Sequence, residues 1–169
     1  MDAQDEVTDA ADAGTDPDGD LAGWMPGQRI ARGVCRALAL RGCATLTEFV
    51  LKGGRRADVI ALDGAGEIAI VEVKSSRADF ASDCKWPDYL AFCDRFYFAV
   101  PPDFPQQLLP QDCGLLVADA YGAEVLRPAP TAKLHASRRR ALTLRFAQVA
   151  SQRLTRLCDP GATVPDSGL

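Results

Sequence analysis

A single histidine, six cysteines without one Cys-x-x-Cys pair, and no apolar run of membrane length are the chief shortages of this chain. His135 alone cannot complete a Cys/His zinc set. The cysteines at 35, 43, 84, 93, 113 and 158 mostly have apolar neighbours, as in Val34-Cys35 and Phe92-Cys93. They are expected to be reduced thiols packed as small hydrophobes. No stretch approaches the roughly eighteen apolar residues of a membrane span. The N-terminus lacks a basic start and an apolar run, so a cytoplasmic location is the expectation. Ser75 and Ser76 have no evident His or Asp partner for nucleophilic chemistry, and they read as caps of the following helix.

What remains is 169 residues, 47% hydrophobic and 25% charged, suited to one globular domain with a real core. The net charge of −4 averages two unlike regions. Residues 1–20 carry eight acids and no Lys or Arg, and the rest of the chain sums to +4. From Lys133 to Arg156 there are seven basic residues and no acid, a pattern that suits either a polyanion or a solvated helix face. The expected organisation is a disordered acidic tail over 1–22, a folded domain over 23–158, and a flexible tail over 159–169. No internal repeat is present.

Hydrophobic periodicity predicts a helix over Arg29–Leu40, ended by Gly42. Strands follow at Ala44–Leu51, Arg56–Leu62 and Glu67–Lys74, separated by Gly-rich turns. A helical stretch begins at Arg77 and restarts at Pro87, running through Cys93. Arg95–Val100 is a strand, Gln106–Leu109 a short turn or helix, and Gly114–Ala120 with Glu124–Arg127 a hairpin. An amphipathic helix over Ser137–Leu157 closes the domain. A meander followed by a helical crossover predicts an α/β fold with a mixed central sheet flanked by helices.

Register decides whether the acids of the meander meet. With Gly64-Ala65-Gly66 as a three-residue loop, Asp63 pairs with Glu67 and Asp58 lies opposite Glu72. With Lys52-Gly53-Gly54 as the other loop, Leu51 pairs with Arg55 and Glu48 lies opposite Asp58. Glu48, Asp58 and Glu72 then share one rung and one face. Carboxylates so close repel, and a divalent cation is the natural compensation. Glu72 and Lys74, two apart on a strand, project side by side. An acid pair beside an ammonium is a compact arrangement for holding a metal and orienting water, chemistry that suits phosphodiester hydrolysis.

The run Arg55-Arg56-Ala57-Asp58, then Val71-Glu72-Val73-Lys74-Ser75-Ser76, then Lys85-Trp86-Pro87-Asp88-Tyr89 resembles the MmcB-type DNA-repair proteins. These belong to the PD-(D/E)XK nuclease-like superfamily. The resemblance continues through Asp94–Ala99 and Gly114–Gly122 and covers about residues 28–157. It implies a restriction-endonuclease-like α/β/α core. Asp58 and Glu72 would bind Mg2+ or Mn2+, with the Val73 carbonyl as a further ligand, and Lys74 would position the attacking water or stabilise the phosphorane. Ala57 stands where that pattern often has proline. The first helix lacks the acid many members carry, which leaves Glu48 as the substitute. The resemblance further implies that Lys85 and Tyr89, at helical i,i+4 spacing, face the site and contact phosphate; the alternative is that Trp86 and Tyr89 are core aromatics and Lys85 a surface charge. Arg55, Arg56 and Ser75 are further candidate DNA contacts, and either arginine could equally edge a turn.

The implied function is a metal-dependent DNA endonuclease, or a nuclease-like DNA-processing protein, in repair or recombination. The implied partners are DNA and other repair proteins, with no membrane. A homodimer stays open, since no heptad or apolar seam demands one. The alternative is a DNA-binding accessory protein of the same fold with negligible catalysis. Retention of Asp58, Glu72 and Lys74 together favours the enzyme. An RNA-directed nuclease also stays open, because the sequence shows no base-reading module. Lys74→Ala is expected to abolish cleavage while leaving the fold intact.

Overall fold

The computed structural model describes residues 21–82 and 85–163. Most of the expected acidic tail, most of the C-terminal tail, and Cys84 therefore lie outside the described residues. Leu21, at the end of the expected tail, is only 1% exposed.

Helix α1 spans Pro26–Leu40, a turn earlier than periodicity predicts. Proline is tolerated in a first turn, where its missing N–H would have had no intrahelical partner. The Met25 N–H is instead satisfied by Gln28 Oε1 at 2.9 Å. Ile30, Gly33, Val34 and Ala37 form the buried stripe.

Strands β1 (Ala44–Val50), β2 (Arg56–Leu62) and β3 (Ile68–Val73) form the expected antiparallel meander. After the crossover come β4 (Arg95–Val100), β5 (Gly114–Ala118) and β6 (Ala123–Arg127). The six strands lie in sequence order, with β3, β4 and β5 parallel and β6 antiparallel at the far edge. The sheet is mixed, as expected.

Both hairpin loops have the expected odd length. Asp63 N–H bonds the Glu67 carbonyl at 3.1 Å, and Leu51 N–H bonds that of Arg55 at 2.7 Å. Gly66, at φ +80°, supplies the left-handed residue the first of these loops needs. Thr47 faces Val59 and Phe49 faces Ala57, which sets Glu48 level with Asp58. Val59 faces Val71, which sets Asp58 level with Glu72, just past the last paired residues.

The crossover from β3 to β4 carries a short helix α2 (Arg77–Ser82) and a 3-10 helix at Trp86–Phe92. Ser76 Oγ accepts the Asp79 N–H at 3.1 Å and so caps α2, as the sequence predicts. The closing helix α3 spans Ala136–Cys158. α1 packs Ile30 and Val34 against Val59, Val71, Ala99 and Leu116 on one face of the sheet. On the other face Tyr89 of the 3-10 helix and Leu142 and Phe146 of α3 cover Phe49, Ile60, Ile70 and Phe98.

Asp94 ties this second layer down. It is 2% exposed and accepts N–H bonds from Ile68 and Leu134, each at 2.8 Å. Arg139 of α3 grips it with two further bonds of 2.8 and 2.6 Å. The basic run of α3 is thus largely committed to the fold. Arg138 bonds the Ala91 carbonyl, Arg145 that of Val50 at 3.0 Å, and Arg153 that of Glu48 at 3.2 Å.

Candidate active site

The β2–β3 ladder ends at Val59 and Val71, and the strands part there. The Asp58 side chain fills the gap, its Oδ2 accepting the Val73 N–H at 2.7 Å. Lys74 N–H meanwhile bonds the Ala99 carbonyl at 2.9 Å, so the end of β3 stays pinned on its other side. The Glu72 and Lys74 side chains run alongside one another, Nζ to Oε1 at 3.3 Å, and both are buried.

These residues line a cavity of about 730 Å³ at the end of the sheet. Its floor is Thr47, Asp58, Glu72, Val73 and Lys74, with Glu48 and Asp79 also in the lining. Its opposite wall is the first half of α1 and the residues before it, including Trp24, Gln28, Arg32 and Arg36. Burial pushes the Asp58 carboxyl above the usual carboxylate range. The Val73 N–H and the Lys74 ammonium pull it back, and Glu48 and Asp79 push it up again.

Glu48 joins the rim in an unexpected way. It is the one non-glycine residue with positive φ among those described, at +51°. Its carboxylate pairs with Arg56 at 2.6 Å while its carbonyl takes Arg153 of α3. Among the described residues no three Asp, Glu, His or Cys side chains stand together as a ready ion cage.

The other residues singled out in the sequence lie elsewhere. Lys85 precedes the 3-10 helix and is exposed, and Tyr89 is buried with its hydroxyl donating to the Arg56 carbonyl at 2.9 Å. The segment is 3-10 rather than α-helical, so the i,i+4 geometry expected of this pair does not form. Arg55 forms a salt bridge with Asp88. Ser75 donates both its N–H and its hydroxyl to Asp79, at 3.0 and 3.3 Å. None of these four residues lines the cavity.

Asp79, Arg32 and Arg36 line it and carry no motif of their own. The Ser76-x-x-Asp79 cap was the available signal for Asp79. For the arginines it was their spacing on a helix that has no acid.

The family model for MmcB-like DNA repair proteins matches residues 22–161, which takes in every cavity residue named above. The chain belongs to the MmcB-like family. Its setting is therefore DNA repair. The structure of the SPO1766 protein of unknown function from Silicibacter pomeroyi is similar, at 50% identity and a TM-score of 0.82. That match covers 84% of this chain and 98% of the other. No curated protein matches the chain. The membership accounts for the shared fold, while the chemistry rests on the site itself. Among the described residues no helix is long and apolar enough to cross a membrane.

The donors suit a hard divalent ion. Asp58, Glu72 and the Val73 carbonyl offer oxygen alone, and the buried negative charge around Asp58 is what a cation would relieve.

Proposed function

We propose that this protein is a Mg2+- or Mn2+-dependent deoxyribonuclease of the PD-(D/E)XK type, hydrolysing phosphodiester bonds during DNA repair. The observation that carries the reading is the union of Asp58, Glu72 and Lys74 at one opened strand end, facing one cavity.

Asp58 and Glu72, with the Val73 carbonyl, are the residues that would hold the ion. The bound metal would supply Lewis acidity and lower the pKa of a coordinated water. Asp58 is held by the Val73 N–H, which fixes the carboxylate before any ligand arrives. Lys74, 3.3 Å from Glu72, places a fixed positive charge at the cavity floor. There it orients an attacking water or balances the charge that grows on the phosphoryl oxygens. Glu48 stands at the rim as an auxiliary acid, held back by Arg56. Repair proteins that share or deliver the substrate are the further partners this reading calls for.

The test is a labelled panel of single-stranded, duplex, flap and four-way-junction DNA incubated with Mg2+ or Mn2+. Chelator and Asp58→Ala serve as controls. Cutting that needs metal and Asp58 is the expected result. Binding without cutting on every substrate would instead assign an accessory DNA-binding role to the fold.

A further inference from the structure

Trp24 and Met25 are 43% and 66% exposed on the segment that leads into α1. Core formation does not account for an indole left so open. The segment is nonetheless anchored. Trp24 N–H bonds the Leu21 carbonyl at 3.1 Å, the Arg29 guanidinium bonds that same carbonyl at 3.1 Å, and Leu21 is buried.

Both residues line the cavity that holds Asp58, Glu72 and Lys74. At about 730 Å³ the cavity is far larger than a single phosphate needs. It falls in the range of roughly 300–1,000 Å³ that takes whole small-molecule ligands. The lining mixes signs, with Arg32, Arg36 and Lys74 facing Glu48, Asp58, Glu72 and Asp79. Charge alone therefore cannot supply strong attraction for a polyanion here, and an uncharged recognition element is needed.

We infer that Trp24 is a stacking platform for an unpaired nucleobase, and that the strand taken by this site is single-stranded DNA or the unpaired arm of a flap. The inference rests on the proposed function for the identity of the polymer, and it names the form of DNA and the residue that selects it. Inside a duplex each base face is covered by its neighbours, so only an unpaired nucleotide can offer a π-face to an exposed indole. Arg36, exposed on the same wall, meets the phosphate.

The test is a binding titration of the full chain in chelator, which separates recognition from cleavage. The probes are an oligothymidylate, a duplex of the same length, and a strand of equal charge with abasic sites. Trp86 is the second of the two tryptophans and is stacked on Phe96, so in Trp86→Phe the fluorescence reports Trp24 alone. The single strand is expected to quench that emission. The abasic strand should bind about tenfold more weakly, and Trp24→Ala should lose a similar factor that Trp24→Phe restores. Trp24→Ala should leave the salt slope unchanged, whereas Arg36→Gln should lower it by about one.

Equal binding of abasic and intact strands by the wild-type chain would overturn the proposal without relying on any variant. So would duplex binding that matches or exceeds single-strand binding, or a Trp24→Ala loss seen only as weakened self-association. Base-dependent binding with no cleavage under Mg2+ or Mn2+ would retire the nuclease reading and leave the stacking site standing. Metal-dependent cutting indifferent to Trp24 would do the reverse.

Discussion

Asp94 and Asp58 are both carboxylates withdrawn from water, and their surroundings push them in opposite directions. Burial alone would raise Asp94, but the bonds from Arg139, Ile68 N–H and Leu134 N–H outweigh it, and its carboxyl settles below the ordinary range. A depressed folded-state pKa contributes stability that is present above the unfolded value and is lost as pH falls through the folded one. Asp94→Ala should therefore cost about 3–5 kcal/mol at neutral pH and flatten the acid limb of the stability curve. Denaturant unfolding from pH 7 down to pH 2 checks this, and a wild-type acid limb in the variant would contradict it. For Asp58, burial dominates and raises the carboxyl, so its ionisation opposes folding as pH rises through that raised value. Asp58→Asn keeps an acceptor for the Val73 N–H and removes the charge. It should raise the neutral-pH melting temperature slightly, by a stabilisation of about 1 kcal/mol or less. Added Mn2+ should stabilise the wild type and not this variant. Lys74 needs a revised expectation, because its side chain is only 5% exposed beside a buried Glu72. Lys74→Ala should end cleavage and also destabilise the fold by a few kcal/mol, about 3. Lys74→Met, which keeps the apolar stem, separates the two losses by activity and thermal melting. Cys93, pushed up to about 12 by burial, is set to be inert, in keeping with thiols that serve as packing.

At the scale of elements, the meander was legible because its loops are short and glycine-rich. Three-residue loops fix odd spacing, and the resulting register brings Glu48, Asp58 and Glu72 level as the sequence predicts. The left-handed Glu48 was not legible, since nothing in Thr-Glu-Phe marks a break; an arginine from α3, 105 residues on, holds its carbonyl. The tie that Asp94 makes was not legible for the same reason, with partners 26 and 45 residues away. The 3-10 winding at Trp86–Phe92 also defeated an α-helical reading of Lys85 and Tyr89. α1 presents a sign reversal that tests the packing. Glycine inside a helix is ordinarily about 1 kcal/mol worse than alanine. At Gly33, however, an added Cβ would sit 2.0 Å from the Asp119 carbonyl oxygen, and backbone cannot yield as a side-chain tip can. Gly33→Ala should destabilise by about 1–3 kcal/mol. Because α1 forms one wall of the cavity, the same change should weaken DNA binding. Calorimetry and a binding titration read the two effects, and a more stable Gly33→Ala protein would mean that α1 does not seat against the β5–β6 turn as described.

For the whole molecule, the basic run in α3 suits either a polyanion surface or a solvated helix face in the sequence, and most of it is engaged within the fold. Long-range attraction for DNA then depends on the summed field more than on that helix. The sum is unusually divided. The full chain carries −4, residues 1–20 hold eight of the acids, and the remainder is +4. At low salt, where the Debye length reaches about 30 Å, a polyanionic ligand approaching the complete chain meets a field of the wrong sign, and one approaching the remainder does not. Removing residues 1–20 spares the buried Leu21. It should raise the association rate for DNA several-fold at low salt, with a steeper salt dependence. The two forms should converge as ionic strength approaches about 1 M, where screening reaches roughly 3 Å. Stopped-flow association across a salt series decides the matter. Identical rates at low salt would mean that the acidic residues do not set the field the DNA meets. A difference that persists at high salt would point to a direct contact between that segment and the site.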